Sequence, residues 1–315
     1  MKGRVLFVLV GVIALLTGCS DDEAPVSYPN DGNLAVTARL YSNVNNYAFQ
    51  NGDKIGLFVT DNENGEWYDT NPYANVMALA QGVGSVRWIL DESVALSDRP
   101  ALVFAYKPYD ANVRSPYTIP VVIDRVDYMV DLMYGSNLQT QKVTRSEPVA
   151  DLVMNHALAM IQFDLSIDPE QPYYGTGIIQ EAKIVGWDRE KKELIQNKHL
   201  IQEGYLDCIN GYITGTAWGS IRIKDLQGKD FHGNFSGQYP AVLVAPTYRM
   251  KDTAFMINVD GLEFYIPIPD GTTWAKNTKN RYCVTLSGMD MRIDYDSVVV
   301  EDWVDGPTDS FEFAD

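Results

Sequence analysis

The stretch FMINVDGLEFYIPI, residues 255–268, narrows the choice of fold more than any other part of this chain. Phe255, Ile257 and Val259 alternate up to Asp260-Gly261, and Leu262, Phe264, Ile266 and Ile268 alternate away from it. Successive side chains of a strand point to opposite faces, so an apolar period of two marks a half-buried strand. Asp-Gly supplies the positive φ angles of a type I′ turn, whose twist suits a two-residue hairpin. The same period recurs in NLAVTARLY (33–41), with Leu34, Val36, Ala38 and Leu40 on one face and Thr37 and Arg39 on the other. In NHALAMIQFDLSI (155–167), Ala159, Ile161, Phe163, Leu165 and Ile167 share a face. GDKIGLFV (52–59), RPALVFAYKPY (99–109), TIPVVI (118–123), YPAVLVAP (239–246), NRYCVTL (280–286) and MRIDYDSVVVEDW (291–303) predict further strands. No long segment carries a helical period, and the chain is predicted to be all-β.

A chain of 315 residues exceeds a typical single domain. DPEQPYYGTG (168–177), with two prolines and two glycines, places a boundary between two tandem antiparallel β-sandwich domains, 33–168 and 169–315. Ahead of them, Lys2 and Arg4 precede the apolar run VLFVLVGVIALL, Val5 to Leu16. That is the layout of a secretory signal, too short for a spanning helix. Leu16-Thr17-Gly18-Cys19 resembles the bacterial lipobox. The resemblance implies a lipoprotein signal peptide over 1–18, with Cys19 as the acylated first mature residue. Residues 19–32 read as an acidic, flexible tether, in which SDDEA (20–24) looks like the export tag of lipoproteins displayed on the outer face of the Bacteroidetes outer membrane.

The net charge of −17 repels nucleic acid, which is excluded as a partner. His156, His199 and His232 are far apart, and no zinc spacing, P-loop, G-x-S-x-G or H-E-x-x-H is present. No cofactor or metal is expected, nothing selects a catalytic carboxylate pair, and the chain does not read as an enzyme. His156 could be a ligand, but is expected to be bonded into the core. Cys208 and Cys283 could pair in an oxidising compartment, and are expected as two separate buried thiols. DNENGEW (61–67) reads as a turn.

GDKIGLFV, VFAYKPY, VDLMYGSN, NHALAMIQFDL, AVLVAPT, NRYCVTL and the terminal EDW fall in the order and spacing of Bacteroidetes fimbrillins. The chain thus resembles the type V pilins and their fimbrillin-like relatives. The resemblance implies two transthyretin-like sandwiches and a surface lipoprotein that becomes a fimbrial subunit. An arginine-specific protease frees the first strand, and a strand attributed to the C-terminal region of a neighbour fills the groove. Carried to this sequence, the cut falls after Arg39, and the displaced strand holds Leu34, Val36, Ala38 and Leu40. The candidate donor strand lies within 291–303, with Ile293, Tyr295, Val298 and Val300. Its phase slips near Ser297, which predicts a bulge.

Family cleavage arginines sit in accessible loops, whereas Arg39 lies within an alternating strand. This departure shifts weight from a stalk subunit toward an anchor or accessory subunit. The partners expected are other fimbrial subunits, the outer membrane through the lipid, and a host or bacterial surface ligand. The alternative is a non-polymerising surface lipoprotein that binds a glycan or host ligand. Trp67, Tyr68, Tyr73, Tyr173 and Tyr174, in loop-like stretches, are its candidate contacts, or simply aromatics at sandwich edges.

Overall fold

The computed structural model describes residues 31–40, 49–68, 73–82, 86–123, 130–233 and 239–303. The signal segment, Cys19, most of the tether and the tail after Trp303 lie outside them. Eight strands precede Ala157: β1 (Ala35–Leu40), β2 (Lys54–Thr60), β3 (Ala74–Gln81), β4 (Arg87–Leu90), β5 (Leu102–Lys107), β6 (Ile119–Val122), β7 (Met133–Ser136) and β8 (Val149–His156). Next come β9 (Ala159–Ile167), β10 (Ile179–Asp188), β11 (Glu193–Ile195), β12 (Ile201–Asp207), β13 (Tyr212–Trp218) and β14 (Ile221–Arg222). The last are β15 (Ala241–Val244), β16 (Thr253–Val259), β17 (Leu262–Pro267), β18 (Thr278–Ser287), β19 (Asp290–Ile293) and β20 (Val299–Asp302). No α-helix occurs among the described residues. The chain is all-β.

Seven of the first eight strands form a sheet in the order β1-β8-β7-β5-β2-β3-β4. Its ends approach one another: Leu34 N–H donates to Val94 O at 2.9 Å, and Leu96 N–H to Gly32 O at 3.0 Å. The enclosed face buries Val36, Ile55, Leu57, Val103, Leu152 and Met154. The outer face is apolar too, because β2 and β5 run without alternation, and Phe58, Phe104 and Tyr106 are fully buried on it.

The second half is a sandwich. The sheet β15-β9-β18-β19 faces β11-β10-β16-β17 across a core containing Phe163, Val284, Ile184, Phe255 and Trp274. Trp274 Nε1–H donates to the Tyr282 hydroxyl at 2.8 Å, so this buried indole is satisfied. The predicted hairpin is present. Asp260 (φ 51) and Gly261 (φ 85) form its tip, and Phe255, Ile257 and Val259 face the core.

Several expectations are corrected. Two of the four sheets are mixed, not purely antiparallel: β1 pairs with β8 in parallel, and β9 with β18 in parallel. Alternation fixes which face is buried, but carries nothing about the direction of a neighbour. β9, which lies ahead of the expected boundary at 168, pairs with β15 and β18 of the second half. The change of sheet occurs at Ala157-Leu158, because two residues suffice for it, and the longer DPEQPYYGTG run only leads from β9 to β10. A third sheet, β13-β12-β6, also crosses the division, since β6 pairs with β12. The bulge expected near Ser297 is a 3-10 turn, Tyr295–Ser297, entered by an Asp296 N–H bond to the Asp294 carboxylate at 3.1 Å.

Candidate functional site

β1 occupies an edge of the first sheet, with its register on β8 running from Ala35 opposite Val149 to Leu40 opposite Met154. Val36 is fully buried, Leu34 and Leu40 are nearly so, and Ala38 packs half-buried beside them. The predicted apolar face therefore points into the enclosed core. On the opposite face the Thr37 hydroxyl donates to Asp151 Oδ1 at 3.0 Å. Arg39 Nε lies 3.4 Å from Asp151 Oδ2, with the Arg39 side chain 53% exposed. The Arg39 side chain is accessible, while its backbone lies in the ladder opposite Val153. Taking β1 away would bare the edge of β8 and, between it and the Val94–Leu96 segment, the core cluster to which Val36 and Leu40 belong.

At the other end of the chain, β19 and β20 lie one after the other on the same side of β18, both antiparallel to it. The 3-10 turn separates them. Ile293 is buried, Tyr295 and Val298 pack partly against the sandwich core, and Val300 is 61% exposed. The four candidate donor residues thus do not share one face in the folded chain.

Two contacts that pin this segment carry no sequence signal. Asp168, at the end of β9, accepts from the Ser287 hydroxyl at 3.0 Å and from Arg292 Nη2 at 2.8 Å. The Glu170 N–H, the Ser287 hydroxyl and then the Arg292 charge hold its carboxyl below the usual aspartate range. Trp303 is buried, and its indole stacks on His156 with centroids 3.8 Å apart and planes 3° from parallel. His156 Nδ1 is 2.8 Å from Asp131 Oδ1, so the histidine is bonded into the core, as expected. The terminal EDW pointed to this region only as a family motif; its partner cannot be read from spacing.

The other sequence candidates are scattered. Cys208 is buried, whereas Cys283 is half-buried, a correction to the expectation of two buried thiols, and both are free. Of the aromatics proposed for a glycan, Tyr68 and Tyr173 are buried and Tyr73 packs against the first core. Trp67 (37%) and Tyr174 (93%) are exposed, but they do not form a stacked pair with each other. No group of three or more His, Cys, Asp or Glu side chains among the described residues is placed to hold a metal.

Fold and geometry define an all-β sandwich protein whose first and last strands are both laid along sheet edges. The chain belongs to the fimbrillin-like family, whose model matches residues 39–303. A curated relative from Bacteroides uniformis, named "Putative fimbrium subunit Fim1C", is 26% identical over 326 residues and is matched over 97% of each chain. Among solved structures, a "putative cell adhesion protein" of B. uniformis superposes with a TM-score of 0.61 at 17% identity, covering 88% of this chain and 100% of that one. A fimbrial protein of Bacteroides vulgatus gives 0.54 at 14% identity, covering 86% and 99%. At these identities the structural likenesses establish the fold.

Proposed function

We propose that this protein is a subunit of a cell-surface fimbrium that joins its neighbours by β-strand addition. The observation that carries this reading is the placement of β1, an edge strand whose apolar face closes the core of its own sheet. Cleavage after Arg39 detaches Leu34, Val36 and Ala38 and leaves Leu40 as the new N-terminus. A neighbour's strand then takes the vacated ladder on β8, with backbone bonds giving affinity and alternate side chains giving register. Until it arrives, the open slot is a sheet edge prone to wrong pairing. The membership of the chain in a family of fimbrial subunits supports the same reading.

Acylated Cys19 holds the chain on the outer face of the outer membrane. Cleavage after Arg39 releases the chain from that lipid; a copy whose Arg39 stays paired in β1 and uncut keeps it, which is what an anchor or accessory subunit needs. The seven-stranded sheet and the following sandwich act as two units joined at β6 and β12. A glycan-binding, non-polymerising lipoprotein has weaker support, because Tyr68, Tyr73 and Tyr173 are engaged in packing.

The test treats soluble protein, residues 20–315, with an arginine-specific protease, then applies N-terminal sequencing and an unheated denaturing gel. A new N-terminus at Leu40 with a heat-sensitive oligomer ladder is expected of a polymerising subunit. A cut with no ladder points to an accessory subunit that needs another donor. Resistance at Arg39 with both halves intact removes the cleavage step.

A further inference from the structure

The last strand makes little apolar contact of its own. β20 exposes all four residues, and Val300 is 61% exposed. The very next residue does the opposite: Trp303 is 1% exposed, in a cluster that also contains Phe104 and Leu158. Its ring lies on His156, and Asp131 holds that imidazole from the side. Asn277 ties the backbones together. Its carbonyl accepts the Trp303 N–H at 2.9 Å, and its side-chain oxygen accepts the His156 N–H at 3.3 Å. The end of the last strand is therefore fastened to the end of β8, the strand that carries β1. A large aromatic side chain is among the strongest single apolar anchors a chain can offer. A short exposed strand held by solvent-facing ladder bonds frays readily without one.

We infer that Trp303 is a latch that keeps β20 closed on its own β18, and that undocking its indole from His156 is the step at which the C-terminal end of the candidate donor segment begins to come free. Donation rests on the proposed strand addition; the latch itself is a property of the single chain. It differs from the cleavage site in position and in kind. Cutting after Arg39 makes a subunit able to receive, whereas opening at Trp303 begins to make it able to give.

The test is hydrogen exchange on residues 20–315, which contain every described residue, for the wild type, Trp303→Ala, His156→Ala and His156→Phe. Trp303→Ala is expected to speed exchange at Val299–Asp302 about 100-fold while Phe163 and Ile257 keep their protection. His156→Ala gives a smaller local acceleration, and His156→Phe, which keeps a flat ring under the indole, stays near wild type. Unchanged exchange at 299–302 in Trp303→Ala overturns the latch. Should that variant lose protection everywhere, His156→Ala decides: local acceleration supports the latch, and a uniform or absent change overturns it. After arginine-specific cleavage, Trp303→Ala forms heat-sensitive oligomers faster than wild type. Local acceleration without oligomers from either protein upholds the latch and sinks the donor assignment.

Discussion

Arg292 Nη2 stands 2.8 Å from Asp168 Oδ2, joining β19 to the far end of β9. The Asp168 carboxyl is held below its ordinary value of 3.8 by the Glu170 N–H, the Ser287 hydroxyl and Arg292. A depressed carboxylate stabilises the fold above its unfolded pKa, and that stability is lost as pH falls toward the folded value. The thermal midpoint is therefore expected to drop from about pH 4 downward. Asp168→Asn should unfold at a lower temperature than wild type at pH 7, with the gap narrowing as the pH falls below about 4. A gap that is constant from pH 7 to pH 3 would show that the carboxylate charge plays no part.

Val36 is fully buried on the face of β1 that closes the first core. Val36→Asp would bury a carboxylate without a partner, a loss of about 3–5 kcal/mol in the docking of β1. The expected outcome is a slot that opens without protease, read as oligomers in size-exclusion chromatography of uncut protein. A monomer with unchanged protease resistance would show that apolar docking does not hold the strand.

Arg39 and Asp151 meet at the surface, 53% and 40% exposed. Such a pair contributes about 0–1 kcal/mol. Arg39→Ala should leave the urea midpoint almost unchanged and abolish the Leu40 N-terminus after digestion. Retention of the oligomer ladder in this variant would refute cleavage at Arg39.

Cys19 is the only cysteine ahead of Cys208. Cys19→Ala is expected to lose palmitate labelling and membrane association in a bacterial host. Normal display of this variant on intact cells would refute the lipid anchor.

Faces were legible in the sequence, and neighbours were not. The β16–β17 hairpin could be located to the residue because Asp260-Gly261 joins two runs with strict alternation. β1 could be oriented for the same reason. β12 and β13 gave no such signal, since β13 has no buried residue and its YITGTAW pattern is not contrasted by polarity. β10 is crowded on both faces, and its Val185 belongs to a separate small cluster with Met256. The parallel β9–β18 pairing and the β6–β12 link join residues far apart in sequence, which no local window contains. The Trp303–His156 stack and the Asp168–Arg292 pair escaped for that reason. Each is made by one residue at each of two distant sites, with no period to announce it.

β1 runs in the same sense as β8, with Ala35 opposite Val149 and Leu40 opposite Met154. A strand that takes over this ladder in the same register must also enter from the Val149 end. It cannot be turned round without exchanging the slanted hydrogen bonds of a parallel pair for those of an antiparallel one. Each joint then points the same way. A filament built from such joints has two unlike ends: one presents an empty slot and the other an unspent strand. Under the proposed strand addition, slot and donor are unlike surfaces, so the joint is heterologous and the filament directional, and the parallel β1–β8 register sets which way each incoming strand must run.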